Sequence, residues 1–162
     1  MALYAFNNVM AGTQQALSSS YKTILAVTAA TGAATLRRGW LYEFEIGADA
    51  VPNSTDCPIS YNILVQTAAG TATSITPNPV DVGGQDAAAQ LTYVANATVE
   101  GTYAANSTLF YLGLNQRASQ KQIFRDEKSC LIIPAVNLKG LALCAKSPNY
   151  TGTVGWQAYI SE

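Results

Sequence analysis

Three segments alternate apolar and polar side chains with a period of two, and that alternation constrains the fold more than any other feature of the chain. In 36–48, Trp40, Tyr42, Phe44 and Ile46 fall on one side and Leu41, Glu43 and Glu45 on the other. In 58–67, Ile59, Tyr61, Ile63 and Val65 form one row, and Ser60, Asn62 and Gln66 the other. In 153–160, Val154, Trp156, Ala158 and Ile160 share a face. Successive side chains of a strand point to opposite sides, so such runs read as half-buried strands. Weaker strand patterns cover 21–29, 91–94, 98–102, 109–115, 120–125, 130–134 and 140–146. Thr31-Gly32, Pro52–Asp56, Asp126–Ser129 and Ser147–Gly152 supply turn chemistry between them. About eight to ten short strands, with turns roughly every ten residues and no sustained helical period, predict an all-β fold. The expected architecture is a single-domain antiparallel β-sandwich or jelly roll over residues 21–162. Asp86–Gln90 predicts one short helix near 84–90.

Residues 1–20 read differently. Leu3, Phe6 and Met10 are scattered apolar anchors, and Ser18-Ser19-Ser20 closes the segment. The expectation is a short N-terminal arm that either packs on a neighbouring subunit or frays.

The composition narrows function. The chain has 162 residues, the size of one domain, and is large enough to hold a core without disulfides or metal. Charged residues make up 12%, about half the ordinary share, and the net charge is −1. A protein that tracks nucleic-acid phosphates needs a basic excess, so no nucleic-acid partner is expected. There is no histidine, which removes the commonest general base, the usual triads and most zinc sites. Cys57, Cys130 and Cys144 are widely spaced without a C-x-x-C pair, and are expected to be reduced, buried thiols. The N-terminus lacks the positive charge and apolar run of a signal peptide, and no stretch approaches about 18 apolar residues. A reducing cytoplasm, or a particle assembled there, is the expected setting, with no membrane partner. The four Asn-x-Ser/Thr sequons at Asn53, Asn96, Asn106 and Asn149 are read as turn chemistry.

No catalytic constellation emerges. Glu43 and Glu45 share one strand face, whereas glycosidic chemistry needs carboxylates that flank a bond. The loop aspartates Asp49, Asp56, Asp81 and Asp86 lack a calcium-loop spacing, and Gly83-Gly84 lacks the context of a phosphate loop. Trp40 and Trp156 sit in alternating apolar rows and are expected in the core. No cofactor, metal or catalytic residue is assigned. Charge is uneven along the chain. From Trp40 to Gln116 there is no lysine or arginine, while Arg117, Lys121, Arg125, Lys128, Lys139 and Lys146 follow. Either folding mixes the two signs, or they form opposed faces that steer association.

The strings AGTQQALSSSYKT, LRRGWLYEFEIGADAVPNSTDCPISYNILVQTAAGTAT, TPNPVD, LNQRAS and NLKGLALCAKSPNYTGT resemble small virion structural proteins of tailed bacteriophages. The nearest group is the capsid decoration (cement) proteins with a jelly-roll-like fold, and the resemblance runs from about Gly12 to Gly152. It implies a non-enzymatic homotrimer, made in the host bacterial cytoplasm, that sits on the outer surface of the major capsid protein lattice and stabilises it. The resemblance carries no residue role. Expected contacts to capsid or subunit are Tyr4 and Phe6 of the arm and the basic residues Arg117, Lys121 and Arg125. The alternatives are a fibre, spike or receptor-binding domain that takes glycan through Tyr93, Tyr103 or Tyr111, and a carboxylate-dependent hydrolase acting through Glu43.

Overall fold

The computed structural model describes residues 2–29, 36–83 and 88–162. Within them the chain forms two packed antiparallel sheets. The first contains β1 (Leu3–Asn7), β3 (Gly39–Ala48), β6 (Asn78–Pro79), β9 (Ser119–Ile123), β10 (Leu131–Ile133) and β12 (Val154–Ser161). The second contains β2 (Lys22–Thr28), β4 (Pro58–Ala68), β5 (Thr71–Ser74), β7 (Thr92–Val99), β8 (Thr102–Asn115) and β11 (Gly140–Lys146). The expected short helix falls mainly on 84–87, outside the described residues, as does the Thr31-Gly32 turn.

The order of pairing identifies the winding. β1 pairs with β12, β2 with β11, β3 with both β9 and β10, and β4 with β8. First meets last and second meets second-last, as when one long hairpin of strands is rolled up. β12 also pairs with β3, and β11 with β4, so successive layers of the hairpin alternate between the sheets. This is jelly-roll winding. β5, β6 and β7 belong to the excursion between β4 and β8 and widen both sheets on one side: β6 adds to β1, and β7 adds to β2 with β5 beyond it.

The core lies between the sheets and is rich in aromatic rings. Trp156 meets Tyr61 edge-on at 5.6 Å between ring centres and leans on Phe44 at 5.8 Å. Phe44 meets Phe110, and Phe6 meets Tyr93, each edge-on at 4.9 Å. Each edge-on pair joins one ring from each sheet, adding about 0.5–1.5 kcal/mol beyond its buried area. The alternation in 153–160 holds throughout, with Val154, Trp156, Ala158 and Ile160 all buried. All three cysteines are buried thiols, also as expected.

The N-terminal segment departs from expectation. Residues 3–7 are not an arm but an inner strand, held between β12 and β6. Tyr4 and Phe6 point into the core and are almost wholly buried, so neither side chain is a surface contact. The reason is cooperative: five residues are too few to show a period, but pairing on both sides and two buried rings offset the ordering cost. After β1, the Asn7 side chain accepts from Met10 N at 3.0 Å and caps a short 3-10 turn, Asn8–Ala11. Buried Asn8 then stands in for a strand partner: Trp156 N donates to its Oδ1 at 2.9 Å, and its Nδ2 donates to Val154 O at 2.8 Å. Farther on, Leu17 N donates to Gly152 O, and Leu17 is itself buried.

Candidate functional site

The second departure lies in β3 and creates the outward surface. Against β12, Glu43 faces Tyr159 but Leu41 faces Ile160, so Tyr42 is an extra residue without a partner. A bulge of this kind puts two neighbouring side chains on the same side and switches the phase of everything beyond it. Phe44 and Ile46 remain inside, Leu41 turns inside, and Trp40 and Tyr42 are partly exposed. The expected single aromatic row from Trp40 to Ile46 is therefore split, and Trp40 is not a core residue.

Register then sets out the outer face of the first sheet row by row. Ile132, Trp40, Ser161 and Leu3 lie across one end. Ile123, Glu43, Tyr159 and Ala5 form the next row, with Tyr42 beside them. Lys121, Glu45, Gln157 and Asn7 form the third, and Ser119, Gly47 and Gly155 the last. One half is apolar and aromatic and the other polar. Ile123, Ile132 and Leu3 are 55%, 44% and 36% exposed. A shallow groove of about 490 Å3 runs past Leu3, Tyr42, Ile123, Phe124 and Tyr159, and a second of about 370 Å3 lies at the polar end beside Asn7, Glu45, Gly47 and Gln157. Large apolar side chains are thus gathered on one sheet face, beside a charged rim.

The basic residues expected as contacts are strung along the β9 edge of this face rather than clustered. Arg117 donates from Nε to Asp56 Oδ1 and from Nη2 to Asn53 O, both at 2.9 Å, and so ties the β8–β9 turn to the loop before β4. That guanidinium holds the Asp56 carboxyl below its ordinary pKa. Lys121 Nζ lies 2.5 Å from Glu43 Oε1, which raises the lysine's pKa, and Glu45 lies directly across from Lys121 in the ladder. Folding therefore mixes the two charge blocks by laying β9 beside β3. Arg125 is exposed just beyond β9, with no ion pair recorded among the described residues.

The three tyrosines considered for glycan differ in exposure. Tyr93 is buried and donates its hydroxyl to Glu162 Oε1 at 3.1 Å. Tyr103 donates to Glu100 Oε2 at 2.9 Å and also touches Thr23 Oγ1, while Tyr111 alone of the three is well exposed, at 60%. Glu100 Oε2 also accepts from Thr23 N at 2.9 Å and Thr23 Oγ1 at 2.6 Å, so this carboxylate is committed to fixing β2 against the β7–β8 turn. Cys144 lies beneath, and burial pushes its thiol up to about 12, which keeps it protonated and non-nucleophilic at neutral pH. Among the described residues no three His, Cys, Asp or Glu side chains converge on a possible metal site, and no helix is long and apolar enough to cross a membrane.

Two sequons serve the backbone. Asn96 and Asn106 each have φ of 53°, a left-handed conformation that asparagine tolerates better than most residues. Buried Asn96 also donates from Nδ2 to Asn8 O and Thr13 O, tying the segment after β1 to β7.

Comparison with family models, with curated proteins and with solved structures returns no match to this chain. The fold and its outward surface therefore carry the functional reading.

Proposed function

We propose that this protein is a non-enzymatic structural protein of a bacteriophage virion, docking onto the outer surface of the major capsid protein lattice and stabilising it. The observation that carries the reading is the aromatic half of the first sheet's outer face, where partly exposed Trp40 and Tyr42 lie beside exposed Ile123 and Ile132. The resemblance in the turn and strand strings supports the choice of partner. The rim of Lys121, Glu43 and Glu45 supplies paired charges that fix orientation at such a contact. Of the three tyrosines named for glycan, Tyr93 is buried, Tyr103 is partly exposed and Tyr111 is exposed, so the receptor-binding alternative rests on the last two.

The test is co-sedimentation of purified protein with capsids assembled without it. Saturable binding by the native chain, lost at least tenfold in Trp40→Ala and Ile123→Asp, is the expected result. Binding that is absent in the native chain, or unchanged in both variants, contradicts the proposal. The homotrimer implied by the resemblance is a separate matter, open to a measurement of mass in solution.

A further inference from the structure

We propose that two copies of this chain pair through the free edge of β8, antiparallel and about a two-fold axis. The inference concerns contact between copies and does not rest on the capsid reading. Among the described residues β8 is the outermost strand of the second sheet and pairs only with β4. It is fourteen residues long and holds no charged residue and no proline. Exposed strand edges present unpaired backbone groups, and natural proteins protect them by shortness, charge, proline or bulges. The other outer strands have such protection. β6 has two residues, one of them Pro79; β5 has four and β10 three; β9 carries Lys121. β8 is irregular only in its first half, where its register against β4 shifts repeatedly, and runs evenly from Phe110 to Asn115.

The phase of the ladder shows which groups are free. Gln116 N donates to Cys57 O, and that pair continues the Asn115–Pro58 register. Bonded pairs alternate along an antiparallel ladder, so Leu114, Leu112 and Phe110 bond to β4, while Tyr111 and Gly113 turn their N–H and C=O groups outward. The side chains add a second reason. Phe110, Leu112 and Leu114 pack against the core yet remain partly exposed, and Phe124 and Leu131 border the same open flank of the sandwich. A neighbouring strand would cover this rim.

The occupant is a second copy because the segment complements itself. Centring the pair on Leu112 sets Tyr111 of each copy opposite Gly113 of the other, where the space a side chain would fill is open. An aromatic ring over a cross-strand glycine is a favourable arrangement. Phe110 then faces Leu114, and no like charges meet along the seam.

The test is mass by light scattering after size exclusion across a range of concentrations. A dimer is expected for the native chain. The double variant Leu109→Lys, Tyr111→Lys changes two exposed side chains, so it should melt as the native protein does, while its dimer dissociation constant rises at least tenfold. A native monomer throughout, or a dimer or trimer indifferent to the two lysines, overturns the proposal. Leu112→Cys tests the register independently. Non-bonded antiparallel pairs bring Cα atoms to about 4.5 Å, within disulfide range. Mild oxidation should therefore cross-link two copies, and no cross-link overturns the two-fold at Leu112. Failure to bind capsids would leave this result standing, and the reverse also holds.

Discussion

β3 and β12 lie side by side in the first sheet, each carries one tryptophan in an alternating run, and the two tryptophans have opposite fates. Trp156 is 1% exposed at the centre of the aromatic core, whereas Trp40 lies partly exposed on the outer face. The difference is one residue. β12 runs without interruption and keeps a single phase, while β3 takes up Tyr42 as an unpaired extra and reverses phase there. The lesson is that hydrophobic alternation fixes sides only between bulges, and that a bulge can bring core-type residues to the outer face.

The largest effect should come from deletion. Removing Gln157 shifts β12 by one residue and turns Trp156 and Val154 outward, so the chain should fail to fold, with the cooperative melt lost. Removing Tyr42 should do the opposite of what a deletion inside a strand normally does. It joins Leu41 to Glu43 in the phase they already have, at the cost of Tyr42's own contacts and the bond from Phe124 N to Tyr42 O. A cooperative melt in this variant sharpens the comparison, and loss of folding breaks it.

Truncation comes next. Trp156→Ala should cost about 3–5 kcal/mol in denaturant unfolding, the range for a buried aromatic, while Trp40→Ala, at a partly exposed position, should cost clearly less. Equal losses would mean that both tryptophans are core residues. Asn8→Ala tests how β12 is held once β1 ends. It leaves Trp156 N and Val154 O without partners in a buried setting and should cost about 1–3 kcal/mol.

The smallest effect concerns acid. The Asp56 carboxyl is depressed by Arg117, so its contribution is present above the unfolded-state pKa and is lost as pH falls through the lower folded value. Asp56→Asn should remove a small part of the acid sensitivity of Tm below about pH 4 and leave stability at pH 7 nearly unchanged, because the pair is exposed.

Much of the sandwich was legible in the sequence because its strands are amphipathic and separated by turn residues. Gly140–Lys146 is found at its expected limits, and the face of 153–160 is as read. The bulge was not legible: Trp-Leu-Tyr-Glu-Phe reads as clean alternation, with no glycine to mark the extra residue. β1 was missed because five residues show no reliable period and their strand partners lie more than 70 positions away in sequence. In sequence, Leu91–Val94 and Thr98–Thr102 look like two short strands, whereas β7 runs continuously from Thr92 to Val99 because left-handed Asn96 is accommodated within it. The uneven charge was visible, but not its cancellation, since the pairing of β9 with β3 depends on the winding of the whole chain. The aromatic surface could have been found only by asking which tryptophan lies nearer a bulge, and single-sequence patterning does not answer that.

The most direct test uses the two tryptophans as reporters. Trp156→Phe leaves Trp40 as the sole emitter, and Trp40→Phe leaves Trp156. Acrylamide quenching should act readily on Trp40, with red-shifted emission, and only weakly on Trp156. If Trp40 is as shielded as Trp156 in the folded protein, β3 keeps one phase, the outer aromatic face does not exist, and the proposed docking surface fails with it.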